Sequence, residues 1–424
     1  MYRPDRRSFL SRTDLPPAVV VGLDNITGLQ TARILAARGV PVIGVAADLK
    51  HFGARTNACV EVLESPLTGD DLVVTLTSLA ERLEGPAVLF PCTDGAVSAL
   101  SERRHELTSF LLPLAAHDVV DLLMDKASFA EYALEAGLPI PHTVVLRSRG
   151  DAESAAGALP YPAVLKPAAK SATWLSHTSA KALRVSGPEE LLDTYDRVSG
   201  WSDVFLAQEW VEGGEDGLYS CNAYFDESSR ALVTFVARKL RQWPPGVGTS
   251  ASGVECRQDE VLEQTLTTFA QAGFHGLAYL ETKLEAETGR LLIIEPNVGR
   301  PTGRSAIAER GGVELVYTAY CDAVGHPVPQ TPQRYVGTKW LDVRRDIQAA
   351  IAAHRRGELT ARQWATSVRG RKAHAIWSLR DPMPFLTDVV HASGEGARRL
   401  RAVRTASPAS ASPRKATAAT SSRS

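Results

Sequence analysis

The sequence predicts an α/β unit followed by an α+β unit, and three observations carry that expectation. From Pro16 to about residue 120, apolar strand-like runs alternate with amphipathic helix-like runs, the pattern of a parallel sheet with helices on both faces. From Asp121 onward the apolar runs pair up across short polar turns, as antiparallel hairpins do. Two of these later runs, LAYLETK and RLLIIEPNVGR, carry Glu281 and Glu295, where a plain core strand would carry no acid.

Composition frames the chemistry. The 424 residues are 44% hydrophobic and 22% charged, ordinary values for a globular chain, and this length predicts about two to four domains. A formal net charge of -1 gives no field that favours nucleic acid or an anionic membrane. Cys59, Cys92, Cys221, Cys256 and Cys321 are scattered without zinc-type spacing or a disulfide framework, which fits a reducing compartment. The opening MYRPDRRSFLSRTDLPP is basic but lacks the apolar core of a signal peptide, and no later run is long enough to span a bilayer. A cytoplasmic enzyme is expected.

In the first unit AVVVGL, PVIGVAA and AVLFPC read as strands. GLQTARILAARG, DDLVVTLTSLAERL and GAVSALSERRHEL read as the helices between and after them. The turn after the first strand holds Gly22 and Gly28 without a GxGxxG run, and Asp48 is a poor match for the acid a dinucleotide fold needs. Those glycines are therefore expected to let a helix pack on a strand; a nicotinamide-dependent oxidoreductase is the rival. In the second unit DLLMDKASFAEYALEAG reads as one helix ended by Gly137, followed by LPIPHTVVL, a linker and the strand YPAVLKP. The small-residue run AAKSATWLSHTSAKALRV, the helix GPEELLDTYDRV and the strand VFLAQEWVEG come next. GLYSCNAYF and ALVTFVARKLRQ form a hairpin, PPGVGTSASG a loop, and EVLEQTLTTFAQAG a helix before the two acid-bearing strands. Residues 331–402 read as a helical, polar extension whose clearest helix is DIQAAIAAHRRGELTARQW. The tail 403–424, small, polar and acid-free, reads as disordered, as does a flexible 1–15.

Glu281, Glu295 and Asn297 form an all-oxygen set on neighbouring strands, the ligand type Mg2+ takes when it arrives with phosphates. Lys126 and Lys166 are isolated cations beside apolar runs, compact charges suited to phosphate. Lys239, Arg241, Arg300 and Arg304 are the other cations near these runs. An arginine fork matches carboxylate or phosphate oxygens, and Arg241 and Arg300 are the favoured pair.

Five runs in order resemble the ATP-grasp superfamily: MDKASFAEYALEAGLPIPHT with Lys126, YPAVLKP with Lys166, FLAQEWVEG with Glu209, LETK with Glu281, and IIEPN with Glu295 and Asn297. ARKLRQWPP and the downstream W…W…DPMP pattern resemble its predicted carboxylate-amine ligases related to D-aspartate ligase. The resemblance implies a Rossmann-like parallel-sheet domain at 16–120 and an ATP-grasp domain at 121–330, with a lid at about 125–205. It implies that Lys126 and Lys166 contact ATP phosphates, and that Glu209, Trp210 and Val211 form a hinge for adenine. Glu215 or Asp216 would meet the ribose, and Glu281, Glu295 and Asn297 would hold Mg2+ (or Mn2+). Lys239, Arg241 and Arg300 would be catalytic. The substrates implied are a small carboxylate and a small amine, joined through an acyl-phosphate, with a homodimer allowed.

Two departures stand out. The run after Lys166 has no glycine, so Ser171, Thr173, Ser176 and Thr178 would supply lid hydroxyls, and His177 has no evident partner. The usual acid-x-Asn-Pro-Arg ending reads EPNVGR, with its arginine displaced by one position. A kinase, a carboxylase-type enzyme activating bicarbonate and a nucleotide-binding scaffold without turnover are the other readings.

Overall fold

The computed structural model describes residues 14–169, 171–246 and 248–393; the expected disordered tail and most of the expected flexible N-terminus lie outside them. β1 (Ala18–Val21), β2 (Val42–Ala46), β3 (Glu61–Glu64), β4 (Ala87–Pro91) and β5 (Phe110–Leu111) form a parallel sheet in the order β3-β2-β1-β4-β5. Alternate residues of β1 feed different cores: Ala18 and Val20 pack with helix Ile26–Ala37, Val19 and Val21 with helices Gly69–Ala80 and Asp94–Glu102. This is why the run is apolar at every position. A Cβ on Gly28 would sit 2.1 Å from the Gly22 carbonyl oxygen, so these glycines serve close packing of helix on turn. The edge strands are short: β3 is the half-buried EVLE, and β5 is only the first two residues of the apolar run FLLPLAA.

The second sheet is antiparallel, in the order β6-β9-β7-β8, from β6 (Thr143–Leu146), β7 (Ala163–Pro167), β8 (Leu183–Val185) and β9 (Phe205–Glu209). The third joins β10 (Leu218–Phe225), β11 (Ala231–Trp243), β12 (Thr249–Glu255), β13 (Gly276–Leu284), β14 (Leu291–Val298), β15 (Lys339–Leu341) and β16 (Lys372–His374) in the order β14-β13-β10-β11-β12-β15-β16. Among the described residues, no helix is long and apolar enough to cross a membrane.

Several sequence expectations need correction. The run from Asp121 to Gly137 is two helices, His117–Met124 and Lys126–Glu135, because the Asp125 side chain accepts a hydrogen bond from the Ser128 amide and starts a new helix. Part of the expected linker after β6 is the helix Arg149–Ala158, capped by Ser148. The expected loop PPGVGTSASG runs into strand β12, whose serines pair with β11 and β15. The C-terminal segment is not simply helical, since β15 and β16 extend the third sheet. Its expected single helix is Val343–Arg355 and Ala361–Ser367, parted by Gly357 at φ +75 and restarted by a Thr360–Gln363 capping box.

That segment also straps the first sheet to the third. Buried Asp381 accepts hydrogen bonds from Arg33 Nε (2.9 Å), Thr56 Oγ1 (2.6 Å) and the Asn57 amide (3.0 Å). Gln30 donates to the His374 and Ala375 carbonyls, and Arg33 to that of Ile376. Asp381→Ala leaves the Arg33 charge without its carboxylate. It is expected to cost about 3 kcal/mol, read as a lowered midpoint of urea unfolding; an unchanged midpoint would show that the strap contributes nothing.

Candidate active site

β13 and β14 pair antiparallel with Glu281 opposite Glu295 and Tyr279 opposite Asn297. Directly opposed residues project from the same face, and two like charges so placed repel. The register shifts just past this pair, between Glu281 and Thr282, and such a bulge re-aims side chains. Lys239 Nζ lies 3.6 Å from one Glu281 oxygen and Arg304 Nη2 3.7 Å from the other. Burial opposes ionisation of Glu281, but Lys239, Arg304 and Lys181 outweigh it and hold the carboxyl below its usual range. The Glu295 carboxylate has no hydrogen bond or ion pair among the described residues and lines a cavity of about 370 Å³.

Asn297 Oδ1 accepts from Arg300 Nη2 at 3.0 Å, while its Nδ2 is buried without a partner. Among the described residues no group of three or more His, Cys, Asp and Glu could hold a metal alone. Two carboxylates and an amide oxygen nonetheless fit Mg2+, which is usually bound by one or two carboxylates with phosphates completing its shell.

The displaced arginine has a physical explanation. Gly299 adopts φ +74, and a Cβ there would meet Val97 Cγ1 at 2.5 Å; the turn closes against helix Asp94–Glu102 and swings Arg300 back over the site. Arg300 donates to Tyr279 Oη (3.0 Å) and Asn297 and pairs with Asp94 of that helix. Burial pushes the Tyr279 phenol up to about 12, against the pull of Arg300, so Tyr279 stays neutral.

Arg241 goes elsewhere. Its Nε donates to Asp346 at 2.7 Å and its Nη1 to Ser367 at 2.9 Å, because residues 343–367 fold over β11. Arg241 is thus tied to Asp346 and Ser367, whereas Arg304, donating to Ser220 at 3.1 Å, lies 3.7 Å from Glu281. Lys181 was also missed, and nothing in its local sequence marks it.

Lys166 stands at the end of β7 and Lys126 at the first turn of its helix, both on the cavity that Glu295 lines. Lys166 Nζ donates to Gln208 Oε1 at 2.8 Å, and Lys126 Nζ reaches the Ala168 carbonyl at 3.5 Å. Burial pushes the Lys166 ammonium down to about 8, with Glu295 opposing the shift and Lys126 adding to it.

At the end of β9, Glu209 accepts from the His142 amide at 3.1 Å and lies 3.7 Å from Arg290. The Trp210 amide donates to Pro162, and its ring lies between Arg184 and Lys283. Buried Val211 has no hydrogen-bond partner for its backbone among the described residues. Asp216 is exposed, 3.6 Å from Arg238; Glu215 is occupied by the Gln242 and Gly246 amides.

The run after Lys166 forms helix Ala172–His177, anchored by fully buried Trp174. Its expected hydroxyls are largely committed: Ser171 caps the helix and donates to Trp201, Ser176 donates to Thr173, and Thr178 accepts from Ala180. His177 does have a partner, stacking on Trp201 at 4.4 Å.

No protein-family model matches the chain. A D-aspartate ligase from Enterococcus faecium is 26% identical over 234 residues, 52% of this chain and 54% of that protein. A D-alanine–D-alanine ligase from Stutzerimonas stutzeri is 23% identical over 248 residues, 54% of this chain and 71% of that protein. The chain thus spans about half the length of the first of these relatives. Among solved structures, the biotin carboxylase domain dimer of Hydrogenobacter thermophilus 2-oxoglutarate carboxylase, in complex with MgADP, ADP and bicarbonate, shares the fold. Its TM-score is 0.57 at 16% identity, covering 76% of this chain and 72% of its own.

A lysine pushed down to about 8 is about half neutral at pH 8, whereas an ordinary lysine is almost wholly protonated there. Brief acetic anhydride treatment at pH 8 is expected to acetylate Lys166 ahead of the surface lysines, as read by peptide mass spectrometry; equal rates would refute the shift. Between about pH 8 and the ordinary 10.5 the folded chain binds fewer protons at this site than the unfolded chain. Lys166 therefore makes stability rise with pH across that window.

Proposed function

Because the chain has the ATP-grasp fold, we propose that it is an ATP-dependent carboxylate-amine ligase. The observation that carries this proposal is the unpaired Glu295 carboxylate, opposed to Glu281 on one side and sharing a cavity with Lys166 and Lys126 on the other. Glu281, Glu295 and Asn297 are the residues that would hold Mg2+, which would offset the charge of the phosphates. Mn2+ is the alternative ion.

Lys166 and Lys126 bind the phosphates of ATP. The free amide and carbonyl of Val211 meet the adenine edge, Glu209 accepts from its amino group, and Asp216 meets the ribose. A substrate carboxylate attacks the γ-phosphorus, ADP leaves, and an acyl-phosphate forms. An amine then attacks the acyl carbon, phosphate leaves, and the amide loses a proton. Arg300, Arg304 and Lys239, which surround Glu281 and Asn297, would grip the carboxylate and stabilise charge on the transferred group. Arg241, whose Nε and Nη1 donate to Asp346 and Ser367, would brace that surface.

No side-chain nucleophile is required. Burial pushes the Cys92 and Cys221 thiols up to about 12, leaving them protonated. The names of the relatives, D-aspartate ligase and D-alanine–D-alanine ligase, make D-amino acids the first acids and amines to try. A homodimer and a cytoplasmic setting belong to the same proposal.

The test is a phosphate-release screen with ATP, Mg2+ or Mn2+, and matrices of carboxylates and amines. Free phosphate that depends on both an acid and an amine supports a ligase, whereas a phosphorylated product supports a kinase and bicarbonate dependence a carboxylase-type enzyme. Glu295→Gln is expected to lower turnover on the order of 100-fold with an unchanged melting temperature. Wild-type turnover in that variant would remove Glu295 from the metal site.

A further inference from the structure

Resting on the nucleotide site proposed above, we infer that Gln208 and Thr143 are positioning residues that aim Lys166 at phosphate. Thr143, Gln208 and Val164 are cross-strand neighbours on β6, β9 and β7, so their side chains share a face with Lys166, two residues beyond Val164. The Thr143 hydroxyl is 2.7 Å from the Pro141 carbonyl, Gln208 Nε2 is 2.7 Å from Thr143 Oγ1, and Lys166 Nζ is 2.8 Å from Gln208 Oε1. Thr143 and Gln208 are both buried.

The direction of this relay is dictated by its far end. A backbone carbonyl only accepts, so the Thr143 proton points to Pro141 and its oxygen must accept from the amide nitrogen of Gln208. The amide oxygen of Gln208 is thereby turned toward Lys166, which has only protons to give. A neutral acceptor suits this position. It fixes the ammonium through one proton, leaves two for a ligand, and adds no negative charge to compete with phosphate. A carboxylate there would form an ion pair and hold the charge back. Across the cavity Lys166 faces Lys126 and Glu295, and Asp94, Asp121 and Asp125 also line it; none of these hydrogen-bonds Lys166.

Affinities of the full chain for Mg·ATP and for adenosine, measured calorimetrically at one pH, test the relay. Gln208→Glu, Gln208→Leu and Thr143→Val are each expected to weaken Mg·ATP binding about tenfold while leaving adenosine binding unchanged. Thr143→Ser, which keeps the hydroxyl, is expected to stay within about threefold of wild type. Variants that bind Mg·ATP like the wild type would overturn the relay alone, and equal losses for adenosine would reduce these residues to structural support. Failure of the wild-type chain to bind either ligand would overturn the nucleotide site and the relay with it.

Discussion

Everything at the proposed active site depends on the register of β13 against β14. Setting Glu281 opposite Glu295 brings two carboxylates onto one face at a spacing where like charges repel. The chain compensates only one of them. Lys239 and Arg304 flank Glu281, whereas Glu295 faces the cavity without a protein partner among the described residues. A slip of one residue would turn each glutamate to the other face of the sheet and dissolve the arrangement. The site is thus a property of strand pairing before it is a property of any side chain.

The cations divide into two kinds. Lys239, Arg304 and Arg241 have carboxylate partners, so part of their charge is already answered within the protein. Among the described residues Lys166 and Lys126 bond only to neutral oxygens, of Gln208 and Ala168. Cations with neutral partners keep their field for an incoming anion, and burial strengthens that field while making the ammonium easier to deprotonate. Lys166 and Lys126 are thus the cations at this cavity whose hydrogen-bond acceptors carry no formal charge.

Contacts from outside the third sheet hold this geometry. Arg300 ties Asn297 and Tyr279 to Asp94 on the first unit. Asp381 and its neighbours fasten the C-terminal segment to helix Ile26–Ala37 and the loop after β2. Asp346 binds both Arg241 and the Trp364 indole, so the helices after β15 brace β11 beside Lys239. The C-terminal segment braces these strands even though none of its described residues lines the cavity.

The sequence alone determined the alternation of the first unit, the hairpins of the second, and the presence of two acids and two lysines at strand or helix ends. Those features are local: apolar periodicity, turn composition and an acid inside an apolar run are visible within about ten residues. The tertiary structure decided which arginine stands beside Glu281, and that residues 339–341 and 372–374 add strands to a distant sheet. It also decided that Gln208 accepts from Lys166 and that Arg241 donates to Asp346. Each of these depends on groups far apart in sequence meeting under burial. A side chain's partner there is chosen by strand register and by what folds over it, and no local pattern records either.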